Sequence, residues 1–291
     1  MKQTKLNAHG IIISTIIIVF ISGCRSNDDY NKLGMAGAKY IDAVNLLLEE
    51  AADTRINLSS EQILANDRGI TSISDDEYKK FSRLDRDRIK SLNRIISHNL
   101  LLKRYFSLLQ ELANSDAPQK AQVEIEQVSK NLVQLGRIVN SSTTSTTTSS
   151  SLGSGVNFIV KLQVREALKQ ELEKRGSLIS NELKIQEEAL RGISKIFQRE
   201  KKELAQFQEE RLVIRLITAT TPIGNEDGWI AIRKKVITTN IMSEKFDNAS
   251  LALGNFRNIF ESFLEGKSDI ASINNFLVEV ESFTKLISDR N

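Results

Sequence analysis

One cysteine, two histidines and two prolines are all that 291 residues contain, and each scarcity excludes something. A lone cysteine cannot build a disulfide framework or a cysteine-rich zinc site. The histidines are His9 and His98, and His9 lies in the first ten residues, "MKQTKLNAHG". If that segment is removed, a Ser-His-Asp triad has only His98 to use. An excess of one charge is also missing: 40 basic residues face 37 acidic ones, a net +3. The first 23 residues carry two lysines and no acid, so the rest is close to neutral and has no electrostatic footprint for nucleic acid. No catalytic, cofactor-binding or metal-ligating set is expected, and the chain is not expected to be an enzyme.

What is present begins at the amino terminus. Lys2 and Lys5 precede "IIISTIIIVFI", residues 11–21, which is apolar apart from Ser14 and Thr15. A basic start, a short apolar run and small residues beyond it describe a secretory signal peptide. The run is shorter than the roughly 20 residues a membrane-spanning helix needs. It ends in Ile21-Ser22-Gly23-Cys24, which resembles the lipobox of bacterial lipoproteins. The resemblance implies that Cys24 receives a diacylglycerol, that the leader is cut before it, and that the new terminus is acylated, commonly with palmitate. A lone cysteine in an exported chain then has a use: two or more acyl chains hold a protein at a bilayer where one holds it marginally. Arg25 follows the cysteine, and in a Gram-negative host that resemblance favours the outer membrane.

The scarcity of proline permits long helices. Proline inside a helix costs about 3 kcal/mol, and Pro118 and Pro222 both fall where helical patterns stop. Ile41, Val44, Leu48 and Ala51, with Leu47 beside them, mark a helix over 33–65. Ser74 followed by Asp75, Asp76 and Glu77 caps a second, reaching to about 114, with Leu92, Ile95, Ile96, Leu102, Phe106 and Leu109 on its buried face. A third runs over 118–139, before eleven consecutive Ser or Thr at 141–151. That run has nothing to bury and reads as a flexible connection.

Beyond it, one helix is expected to end near Gly176 and another to span 177–218. Leu183, Gln186, Leu190, Ile193, Phe197, Glu200, Leu204, Phe207, Arg211 and Ile214 form a heptad-like seam there. Either its polar members fix register, or the stripe is displaced by one position where they occur. A helix over 227–264, a turn at "EGKSD" and a last helix capped by Asp269 complete the chain.

The expected fold is all-α: an elongated antiparallel bundle of about six or seven long helices with coiled-coil-like packing. Its expected parts are a leader (1–23), a lipidated polar tether (24–32), amino-terminal helices (33–140), a Ser/Thr-rich connection (141–155) and carboxyl-terminal helices (156–291) closing one bundle. No fixed-period repeat indicates a solenoid.

Few residues stand out as functional. His98 has Ile95 three positions before it, where a ferritin-like site places glutamate, so a partly buried histidine with a local hydrogen bond is expected. Glu49-Glu50, Glu187-Glu188, "LDRDR" and "REKKE" read as solvated faces, because adjacent helical residues diverge. Six of the twelve phenylalanines lie between 246 and 283. Their helical spacing predicts core packing first. The alternative is a groove for a partner's helix, with Phe256, Phe260 and Phe263 as its face.

Together these features predict a lipid-anchored, non-enzymatic helical protein of the bacterial envelope that serves another envelope protein as scaffold or adaptor. The membrane, through Cys24, and a protein are its expected partners. A membrane-acting bundle, toxin-like or lipid-binding, is the alternative, although "VNFIV" after the Ser/Thr run is too short to span. A glycan-cleaving enzyme built on carboxylates alone is a third, since such pairs leave no local signature.

Overall fold

The computed structural model describes residues 26–67, 74–115, 118–143, 164–238, 254–267 and 270–288. The leader, Cys24 and its motif, most of the Ser/Thr run and Asp269 lie outside the described residues. Within them every regular element is helical, and the helices pack on one another as an all-α bundle. They are α1 (Asn27–Asp67), α2 (Asp75–Ala113), α3 (Pro118–Thr143), α4 (Val164–Glu209), α5 over 226–238, α6 (Phe256–Leu264) and α7 (Ile270–Ser288). Past its bounds α4 continues through a π-helical turn, Glu210–Ile214, and a final α-turn, Arg215–Ile217.

Local chemistry sets the ends. The Ser26 hydroxyl accepts the Asp29 N–H at 3.3 Å while the Asp29 carboxylate accepts the Ser26 N–H at 2.9 Å, which satisfies two donors a helix start leaves unpaired. As a result α1 starts inside the expected tether, and Tyr30 is buried edge-on against Phe263 with ring centroids 5.4 Å apart. Ser74 and Glu77 make the corresponding reciprocal box for α2, at 3.2 and 3.0 Å. After α6, Gly266 adopts φ 77°. Its N–H bonds the Phe263 carbonyl, and the Lys267 N–H bonds that of Ser262. This closes the turn expected at "EGKSD" in the way a glycine beyond a helix end allows.

Cross-helix pairs give the directions. Asn45 meets Asn99, Asp42 meets Lys103 and Asn31 meets Asn114, so α1 and α2 are antiparallel. Glu50 meets Lys201 and Glu61 meets Arg211, so α1 and α4 run parallel, unlike the all-antiparallel arrangement expected. Parallel neighbours need a long crossover in place of a tight turn, and the twenty residues between α3 and α4 supply that length.

α1 is enclosed by α2, α4, α6 and α7. Its stripe of Ile41, Val44, Leu47, Leu48 and Ala51 is buried as the spacing predicts. Aromatic rings fill the half of the bundle nearest Asn27. Phe106 of α2 lies edge-on to Phe256 and Phe260 at 5.4 and 5.9 Å, and Tyr40 stacks on Phe256 at 4.9 Å. The backbone there is tight: a Cβ on Gly37 would stand 2.3 Å from the Phe106 ring.

Three expectations change. Phe256, Phe260 and Phe263 are 0%, 0% and 2% exposed, so they are the core of this chain and present no docking face. α4 does not break at Gly176, where Leu264 packs so closely that a Cβ would lie 2.7 Å from it. The helix expected over 227–264 is interrupted: Gly254 and Asn255 form a turn before α6, as residues suited to turns do.

Candidate functional site: buried polar layers and an open tip

Apolar seams place polar residues wherever the heptad is broken, and α4 breaks its seam three times. Each break finds a partner on another helix. The Gln186 amide donates to Asn99 Oδ1, and Asn99 Nδ2 donates to Asn45 Oδ1 at 2.8 Å, a relay from α4 through α2 to α1. Glu200 lies 3.8 Å from Arg55, which also donates to Asp85 at 2.8 Å, with the Ser59 hydroxyl on the other Asp85 oxygen at 2.6 Å. Arg211 grips Glu61 with two hydrogen bonds of 2.6 Å. Gln186 and Glu200 are 1% and 6% exposed, so they belong to the seam and the stripe is not displaced. It shifts only at the π-helical turn, where Val213 is buried and Ile214 is exposed. The wider turn rotates the following residues off the α-helical seam.

His98 is wholly buried, and its partner is not local. Nε2 lies 2.8 Å from Glu182 Oε2 on α4. That carboxylate rests on the backbone of α3, where a Cβ on Gly136 would come within 2.3 Å of it. Nearer the aromatic half, Glu171 pairs with Arg175 one turn on and faces Tyr105. Burial pushes the Glu171 carboxyl up to about 7, only partly offset by Arg175 and Lys174. Burial, then the Glu171 charge, raises the Tyr105 phenol well above its usual range. Glu200 is raised by burial too, against the pull of Arg88 and Arg55.

The acid pairs are less solvated than adjacency implies. Glu50 turns to Lys201, Glu187 to Arg257 and Arg191, and Asp85 to Arg55. Most of these groups pair across helix interfaces, while His98 Nδ1, Gln186 Oε1 and Glu200 Oε2 are buried with no hydrogen-bond partner among the described residues. Their chemistry is that of alignment: a paired polar group penalises any register that strands it in the core. Among the described residues no group of three His, Cys, Asp or Glu is arranged to hold a metal ion. None of the described helices is long and apolar enough to cross a membrane.

The open region is at the other end of α1. From Asn27 to Glu61, α1 climbs about 50 Å at 1.5 Å per residue, and the Glu61–Arg211 pair places the π-helical turn at that height. There the Trp229 indole donates to the Val213 carbonyl at 3.3 Å, pinning α5 to the carbonyl row that the π-turn displaces. Clefts flank the tryptophan. One of about 340 Å³ is lined by Leu216, Pro222, Ile223, Gly228 and Ile232. The second, about 220 Å³, is lined by Ile230, Arg233, Lys234 and Ile237. Leu216, Ile217 and Ile230 are 44%, 54% and 56% exposed.

Trp229 is half-buried, in the wall of these clefts. The signal for the tip was available in "WIAIRKKVI", residues 229–237, where three consecutive basic residues stand between apolar ones without an acid. No family model, curated protein or solved structure matches the chain.

Proposed function

We propose that this chain is a lipid-anchored, non-enzymatic helical protein of the bacterial envelope, held at the membrane through Cys24, which acts as a scaffold or adaptor for another envelope protein. One observation carries the reading: α1 starts three residues after the lipobox cysteine and ends in an open apolar tip some 50 Å away. With so little slack at Cys24, acyl chains there would fix the foot of the bundle at the bilayer, leaving the tip to meet its partner at a set distance. The buried polar layers support the same role, since a strut that transmits position must hold one register. In a Gram-negative host the outer membrane is the favoured site, because Arg25 and no aspartate follows Cys24.

The test uses the full chain in its native host. Palmitate labelling of the wild type, together with an unlabelled and heavier precursor in Cys24→Ser, is the expected result. Equal mass and no label in both would overturn the anchor. Photo-crosslinkers at the exposed positions Leu100, Val123, Ile230 and Val278, on α2, α3, α5 and α7, then test the adaptor role. One protein captured reproducibly from at least one face is expected, and lipid alone from every face would overturn it.

A further inference from the structure

The tip has a charge pattern that narrows what can sit on it. Ile230, Arg233, Lys234 and Ile237 are spaced i, i+3, i+4, i+7 and share one face of α5. All four are exposed. No carboxylate among the described residues pairs with Arg233 or Lys234, whereas Arg215 nearby has Glu210 at 3.8 Å. Two cations thus lie between two exposed isoleucines in the wall of the 220 Å³ cleft, which shares Trp229 with the mainly apolar 340 Å³ cleft.

Three occupants can be compared by physics. A bilayer takes up helices whose apolar and basic residues lie on opposite faces, so that the apolar face sinks while the cations stay at the headgroups. Here the cations lie in the middle of the apolar face, and the cleft is concave where a membrane selects protruding side chains. A second copy, packed about a two-fold axis, presents the same patch to itself and sets Arg233 and Lys234 against their own counterparts. An amphipathic helix carrying Asp or Glu between aliphatic residues meets neither objection. Its carboxylates face Arg233 and Lys234, its aliphatic residues lie along Ile230 and Ile237, and one apolar side chain enters the cleft beside Trp229. Recognition by a helix in a groove works through anchors at this spacing.

We infer that the Trp229 cleft and the Ile230–Ile237 face of α5 form the docking site for an acidic amphipathic helix of a second envelope protein. This rests on the adaptor reading above, and the experiment separates the two. A photo-crosslinker is placed at Ile230 or Ile237 of the full-length protein in its native envelope, with Val123 on α3 and Val278 on α7 as reference faces. The captured segment is mapped by mass spectrometry. The expected product is a partner peptide with Asp or Glu among aliphatic residues. Its yield should fall about tenfold or more in Arg233→Glu/Lys234→Glu and return when the partner's carboxylates are replaced by lysine. Both substitutions are on exposed positions, and an unchanged circular-dichroism melting curve confirms that the fold is intact. Capture from α3 or α7 with none from α5 overturns the docking site and leaves the adaptor reading standing. Lipid, the same chain, a second copy or a charge-independent partner at Ile230 overturns it as well. Silence from every face removes both.

Discussion

The two ends of the bundle are built on different principles. Near Asn27, Tyr30, Tyr40, Phe106, Phe256, Phe260 and Phe263 interlock with almost no exposed surface. Near Glu61, helices meet through ion pairs, a π-helical turn and clefts open to solvent. Aromatic packing contributes stability in any orientation that excludes water, whereas a charged pair contributes only in the arrangement that joins it. One end therefore supplies cohesion and the other supplies register and an accessible surface. A protein that must be firm at its foot and available at its tip has reason to divide its residues this way.

The sharpest way to break that contrast is to remove a ring. Phe256→Ala deletes a side chain that stacks on Tyr40 and Phe276 and meets Phe106 edge-on. Core Phe→Ala changes cost about 3–5 kcal/mol, and urea denaturation should show a loss in that range. Val236→Ala on α5, also buried, removes far fewer buried atoms and should lose about 1.5 kcal/mol. Equal losses would mean that cohesion is spread evenly and that the foot is not special.

A second test concerns register. Glu182→Ala leaves the buried His98 Nε2 without its hydrogen-bond partner, and a buried polar group left unsatisfied costs about 1–3 kcal/mol. His98→Leu together with Glu182→Leu replaces both partners and should recover most of that loss. If the double variant is as stable as the wild type but its α2–α4 contacts slide in a cysteine-crosslinking scan, the pair acts through alignment. An unchanged register in the double variant would remove that role.

The pH dependence has a definite sign. Glu171 has its folded carboxyl raised to about 7 from an ordinary 4.5, so between these values the folded state binds more protons than the unfolded one. Stability from this group is fully present below about 4.5 and is lost as pH rises through 7. Glu200 acts in the same direction. The urea midpoint should fall from pH 5 to pH 8, equivalent to on the order of 2 kcal/mol. Glu171→Gln should flatten most of that slope, and a midpoint rising with pH would refute the assignment.

Periodicity found what is repetitive and missed what is singular. The Ile41-Val44-Leu48-Ala51 stripe, the Ser74 cap and the seam from Leu183 to Leu204 were legible because each follows a local rule within one helix, although the reciprocal bond from Glu77 back to Ser74 was not read. Asn27–Lys32 read as a tether because polar residues outnumber apolar ones there, yet Tyr30 packs on Phe263 and the Ser26–Asp29 box starts the helix before it. Gly176 read as a stop because glycine is a poor helix former; close packing of Leu264 overrides that preference. The partners of the polar seam could not be read at all. His98 and Glu182 are 84 residues apart, and Lys201 and Glu50 are 151 apart. A pattern within one helix carries no information about which helix lies opposite.

The smallest effect is the most local. Arg211, within the π-helical turn that continues α4, joins it to Glu61 of α1, with the arginine side chain 27% exposed and two hydrogen bonds of 2.6 Å. Solvent screening limits such a pair, so Arg211→Ala should cost about 1 kcal/mol or less in global stability. Its effect on the tip should be larger in proportion, because Arg211 lies two residues before Val213, whose carbonyl accepts the Trp229 bond that ties α5 to this helix. Trp229 is the only tryptophan, so its emission reports on the tip and nothing else. In Arg211→Ala the emission should shift at lower urea than the loss of helical circular dichroism, with both transitions closer together in the wild type. Hydrogen exchange should quicken over 211–236 and stay slow around Phe106. If both probes moved together, the tip and the foot would be one cooperative unit, and the division of labour between the two ends would be a matter of composition without consequence for stability.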